Sequence, residues 1–254
     1  MATLFLTSCK KDVTVETQTS QASESKTVLP LKYQIDGQEM AKDVFFKTLL
    51  KGKASLRSES GDLEAISELY HVLQESARPD PKGAVDILNV FTTEEAYIDY
   101  AKNSGFSNVD VVEQAYKDLA DYAESSGAVA ELESTGVMSA SYIRYMNDYL
   151  KAHNLPYDES LKTRTLTNFV YRDCNKGGYS WPILRNPWLG MFGMDNNISS
   201  YYVFGFIGGR TDIFDRTFYR TRMITIWSWA NTTYDFCGGP LAFLNDRASS
   251  WYAL

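Results

Sequence analysis

Histidine is scarce in this sequence: His71 and His153 are the two copies. So little imidazole leaves few ways to build acid–base or metal chemistry on it. There is no His-Glu-x-x-His pair, no Gly-x-Ser-x-Gly elbow and no glycine-rich phosphate loop. None of the three cysteines sits beside an obvious base. Apart from the amino terminus, no stretch approaches the length of a membrane span. The chain is acidic, with a net charge of -7, which argues against a basic nucleic-acid footprint.

Two further absences divide the chain. Tryptophan is missing before Trp181, and glutamate is missing from Leu166 onward, where Lys176 is the one lysine. From Leu166 the charge consists of eight basic and six acidic residues; the remainder carries seventeen basic and twenty-six acidic. An acidic half and an aromatic, arginine-decorated half imply two domains of different kinds. The expected fold is an α-rich (α+β) domain over residues 29–158, then an all-β domain over 165–254.

In the first half, Leu31, Tyr33 and Ile35 alternate as a short strand ending in the turn Asp36-Gly37. A helix is expected from Gln38 to Leu50. Another is expected after Asp62, with Leu63, Ile66, Leu69, Tyr70 and Leu73 on one stripe and His71 on its surface. Val85–Phe91 reads as a strand. Thr92 and Glu95 form a capping box for a helix reaching Asn103. Helices are also expected from Asn108 to Gly127 and over Ala140–Ala152. The latter's Tyr142, Tyr145 and Tyr149 are expected to pack on the β domain or within their own core. The spaced pairs Glu94 with Glu95 and Glu131 with Glu133 read as solvated charge, and no catalytic residue is assigned. His153, near a helix C-terminus, also reads as structural.

The second half contains a repeat. Asp195-Asn196-Asn197-Ile198-Ser199-Ser200 returns as Asn245-Asp246-Arg247-Ala248-Ser249-Ser250, each copy preceding an aromatic strand. Each offers carboxylate or amide oxygens, a hydroxyl and backbone carbonyls. Such an all-oxygen set suits Ca²⁺, whose six to eight ligands tolerate flexible geometry. The segment resembles a βγ-crystallin domain, two Greek-key motifs in one β-sandwich. That family's calcium signature is Asn/Asp-Asn/Asp-x-x-Ser/Thr-Ser, which both copies match. Its hairpin corner, an aromatic residue followed seven positions later by glycine, is matched by Tyr171 and Gly178. The second motif departs: seven residues after Phe214 stands Thr221.

The resemblance implies two Ca²⁺ ions, each held between the motifs. One would use the Asn197 carbonyl, Ser199, Asp246 and the Asp215 carbonyl. The other would use the Arg247 carbonyl, Ser249, Asn196 and the Arg172 carbonyl. It also brings Cys174 and Cys237 near each other, as a disulfide or as two buried thiols.

Leu6-Thr7-Ser8-Cys9 resembles a bacterial lipobox, in which the cysteine carries the lipid. Residues 1–9 are then a short signal, and residues 10–28, rich in Ser, Thr, Gln, Lys and Glu, a disordered tether. The expectation is a lipid-anchored protein of the cell envelope, at the outer membrane and facing the periplasm or cell surface in the manner of such lipoproteins. It binds calcium, has a structural or surface-interaction role and is not an enzyme. The alternatives are a protease inhibitor or toxin built on a crystallin fold, a glycan or matrix binder, and an enzyme in the helical half marked by a pocket joining glutamates and His71.

Overall fold

The computed structural model describes residues 29–51, 59–155, 168–183, 185–186, 198–203, 209–230, 232–238 and 240–253. The expected signal, tether, Cys9, Asn196 and Asn197 lie outside them. Among the described residues, no helix is long and apolar enough to cross a membrane.

The first part contains β1 (Leu31–Ile35), β2 (Gln38–Met40), α1 (Lys42–Leu49), α2 (Glu59–Ser67), β3 (His71–Arg78), β4 (Val85–Phe91), α3 (Glu94–Asn103), α4 (Val109–Ser125), α5 (Ala128–Thr135) and α6 (Ala140–Ala152). The second contains β5 (Asn168–Asp173), β6 (Gly177–Ile183), β7 (Arg185–Asn186), β8 (Ser200–Val203), β9 (Gly209–Arg216), β10 (Arg220–Ser228), β11 (Thr232–Asp235) and β12 (Ser250–Ala253).

The strands make two sheets. One has the order β11-β8-β5-β6; the other has the order β2-β1-β4-β3-β10-β9-β12-β7. The second half is therefore twice the same design. Four strands, β5 to β8, place their fourth beside their first and their first beside their second, and β9 to β12 do the same. In each quartet the third strand crosses to the other sheet: β7 pairs with β12, and β11 with β8. A fourth strand returning beside the first is the Greek-key arrangement.

The expected boundary between two domains is crossed by the larger sheet. β10 pairs in parallel with β3, Thr225 facing Leu73 and Ser228 facing Ser76. β10 would otherwise leave a long row of unpaired backbone groups at a sheet edge, and β3 covers it. The strand alternation then sorts residues between two faces. Ile224 and Ile226 join a core with α1, α2, Tyr201, Tyr234 and Trp251. Trp227, one residue out of step, joins Leu73, Phe91, Tyr97, Ala101 and Val109 under α3 and α4. Trp227 thus packs against the helical layer, where Phe106 lies 4.2 Å away between ring centroids, and not inside the sandwich.

Several local expectations change. His71 begins β3 and does not lie on a helix. The stripe that suggested the longer helix contains Leu69, which is 68 % exposed. From Val72 the residues are buried on both faces, as in a strand interior to a sheet. Gln38–Met40 pairs back on β1 before α1 starts. α5 was not anticipated; glycines with left-handed backbones, Gly127 and Gly136, bracket it. The cap of α3 is Thr93, whose hydroxyl accepts the Ala96 N–H at 3.1 Å. Thr92 instead donates its hydroxyl to Asp36 at 2.7 Å. Tyr142 packs on Phe218, with ring centroids 4.7 Å apart, while Tyr145 stacks on Tyr122.

The two hairpin corners solve one problem differently. Gly178 has φ +67, and a Cβ there would meet the Asp173 carboxylate at 2.3 Å. Its counterpart Thr221 also has positive φ, 55°. A β-branched residue is strained in that region. Thr221→Gly is therefore expected to raise the unfolding free energy by about 1 kcal/mol. A urea titration showing lower stability would mean that the threonine side chain contributes more than its backbone costs.

Candidate functional site

The repeat is visible in the hydrogen bonds. The last serine of each signature is fully buried and fastens the corner of its own motif. Ser200 Oγ donates to the Asp173 carbonyl at 2.7 Å and accepts the Lys176 N–H at 3.0 Å. Ser250 Oγ donates to the Arg216 carbonyl at 2.6 Å and accepts the Tyr219 N–H at 3.1 Å. The preceding serines match as well: the Ser199 N–H donates to the Tyr171 carbonyl and the Ser249 N–H to the Phe214 carbonyl, both at 3.0 Å.

Between the motifs, Ser199 Oγ donates to Asp246 Oδ1 at 3.3 Å although 47 residues separate them. The Asp246 N–H reaches the Ile198 carbonyl at 3.2 Å, and Asp246 has φ 55. Asp215 is held by Arg247, the neighbour of Asp246, through two contacts of 3.2 Å. Arg247 also reaches Glu64 of α2 at 2.6 Å, so the second signature is tied to the helical half. Arg172 is exposed and pairs with Asp173 at 3.3 Å. Cys174 and Cys237 form a disulfide with a Cα–Cα distance of 5.9 Å. Among the described residues, no group of three or more His, Cys, Asp or Glu is placed to hold a metal. The expected ligand sets contain few such side chains: hydroxyls, an amide and carbonyls make up the rest.

A second polar site was not read from the sequence. β9 contributes Arg210 and Asp212, β10 contributes Arg222 and Thr225, α4 contributes Glu113 and Tyr116, and β3 contributes His71. Arg210 and Asp212 are fully buried. Arg210 Nε donates to Asp212 at 2.8 Å, and its Nη2 donates to Glu113 at 2.7 Å. Arg222 Nη1 donates to Glu113 at 2.7 and 2.8 Å. Tyr116 donates to Asp212 at 2.5 Å. Two guanidinia and two carboxylates compensate each other's charge, with Arg210 and Asp212 in the interior and Arg222 at its edge.

His71 has a fixed tautomer. Arg222 Nη2 lies 2.9 Å from His71 Nδ1, and arginine only donates, so Nδ1 accepts. The proton is then on Nε2, which donates to Thr225 Oγ1 at 2.9 Å. Thr225 in turn donates to Asp212 at 2.5 Å. Burial, reinforced by Arg222 and Arg210, holds the imidazole pKa well below its ordinary value. Burial opposes the charge on Asp212, but Arg210 and Arg222 overcome it and keep its pKa lowered.

The half-buried His71 and Arg222 open onto a cleft of about 360 Å³, lined also by Glu68, Tyr70, Glu113 and Lys117. A pocket joining glutamates to His71 is the feature expected of an enzyme in the helical half. This imidazole has its lone pair occupied by Arg222, however, which suits it to positioning better than to proton transfer. The sequence signal for the network was weak: Arg210, Asp212 and Thr225 are polar residues in strands, which ordinarily mark a solvated face.

No family model matches the chain. No curated protein matches it either. Two solved structures are similar over part of it. One, from work on the evolution of the eye-lens βγ-crystallin domain fold, is 21% identical, covers 35% of this chain and 84% of its own, and has a TM-score of 0.29. The other, a point mutant of a βγ-crystallin domain from Clostridium beijerinckii, is 16% identical, covers 34% of this chain and 95% of its own, and has a TM-score of 0.26.

Proposed function

We propose that the second half is a βγ-crystallin-like, double Greek-key unit that binds two Ca²⁺ ions between its motifs. The observation that carries the reading is the 3.3 Å approach of Ser199 to Asp246. It joins a hydroxyl from one signature to a carboxylate from the other, two oxygens assigned to one ion. The exchanged third strands support the same reading, because they interlock the motifs that the ions would bridge. The first ion takes the Asn197 carbonyl, Ser199, Asp246 and the Asp215 carbonyl. The second takes the Arg247 carbonyl, Ser249, Asn196 and the Arg172 carbonyl. Water completes both shells.

Calcium on this reading is a structural clasp. An ion that binds only the folded state stabilises it by about 2.7 kcal/mol at a free concentration a hundredfold above its Kd. We propose further that Cys9 carries a lipid anchor, that residues 10–28 hold the folded part off an envelope membrane, and that the role there is structural or one of surface interaction rather than catalytic.

Calorimetric titration of the full chain with Ca²⁺, with melting followed in parallel, tests the metal sites. Two binding steps and a higher melting temperature are expected. Asp246→Asn is expected to weaken the tighter step by about tenfold or more, because ligand charge tunes Ca²⁺ affinity. No heat of binding in the wild type, or two unchanged steps in the variant, would sink the assignment.

A further inference from the structure

We infer that the cleft beside His71 is a binding site for a small primary-amine ligand. Its walls come from the end of α2 and the residues after it (Ser67, Glu68, Tyr70), from the start of α3, from α4 and from Arg222 of β10. About 360 Å³ admits a molecule of roughly amino-acid size.

The ligand class follows from which groups on the wall already have partners. Both cations do: Arg222 is on Glu113 and Lys117 on Glu94, the latter at 2.7 and 2.8 Å. His71 is neutral, with both ring nitrogens engaged. The first turn of α3 is satisfied by the Thr93 cap, and Glu94 and Glu95 already oppose its dipole. An anion would therefore have to displace existing ion pairs. Acceptors, in contrast, remain. Ser67 and Thr92 spend their hydroxyl protons on the Glu64 carbonyl and on Asp36, which leaves their lone pairs open. Glu68 is exposed and, among the described residues, its carboxylate forms no hydrogen bond or ion pair, although Arg247 feels its charge.

Three carboxylates against two cations give the wall a negative excess. The half-buried Tyr70 adds an aromatic side chain to the wall, a residue type that also favours a cation. An ammonium group brings three donors and one positive charge, matching what the wall lacks. The fixed network behind it, from Arg222 through His71 and Thr225 to Asp212, keeps the wall in one geometry, so little ordering accompanies binding. The site does not involve the calcium ligands, and its test is independent of them.

The experiment is a titration of the full chain with ethanolamine and with putrescine, followed by the NMR resonances of His71 and repeated with acetate and with glucose. Both amines are expected to shift His71 saturably, whereas acetate and glucose are not. Glu68→Gln, at an exposed position, is expected to keep the wild-type melting temperature and to weaken amine binding about tenfold, as losing a charge-assisted hydrogen bond does. Glu133→Gln, the same charge change on an exposed residue of α5, is expected to leave binding intact. No saturable shift with either amine, equal binding of acetate or glucose, or an unchanged affinity in Glu68→Gln would each overturn the inference.

Discussion

Asp212→Ala is expected to lower the unfolding free energy by about 3–5 kcal/mol, the cost of removing one partner from a buried charge network. Asp212 is fully buried and accepts from Arg210, Thr225 and Tyr116. Without it, Arg210 keeps Glu113 as its sole carboxylate, and Glu113 is already shared with Arg222. Thr225 and Tyr116 lose their acceptor in the same interior. Urea denaturation gives the number. A control is Lys102→Ala, which breaks an exposed pair with Asp110 at 2.8 Å and should cost less than about 1 kcal/mol. If the two variants lost similar amounts, the buried network would be no stronger a fastener than the surface pair.

Opening the Cys174–Cys237 bridge is expected to be of similar size. The cysteines are 63 residues apart, and the chain-entropy relation for a loop of that length gives about 4 kcal/mol. One cysteine lies in the β5–β6 corner and the other just after β11, so the bridge links the first motif to a strand exchanged from the second. Denaturation of the Cys174→Ser, Cys237→Ser double variant, compared with wild type in the absence of reductant, measures the effect. Equal midpoints would show that the bridge adds nothing to the stability of the folded chain.

Much of the candidate calcium site was legible in the sequence because it is local and repeated. Six consecutive residues carry each signature, and the serine that pins each corner is its last member. Gly178 was marked by the resemblance's aromatic-to-glycine spacing from Tyr171, and the structure supplies the reason: a left-handed turn crowded by Asp173 leaves no room for a side chain. Thr221 shows the limit of that logic, since the second corner forms with a residue that pays for the turn in strain. Likewise α3, α4, α6 and β4 follow from short-range spacing and appear within a residue or two of their expected bounds.

The sequence by itself determined the two signatures, the helical character of the first half and the strand alternation of the second. The tertiary structure alone decided three things: that β3 extends the second half's sheet, that His71 meets Arg222 across 151 residues, and that Arg210 reaches Glu113 across 97. The reason is physical. Helical periodicity and turn chemistry are set by neighbours a few residues away, whereas an edge strand's partner, and the charge that makes a buried arginine tolerable, are set by whatever distant segment the folded chain brings alongside.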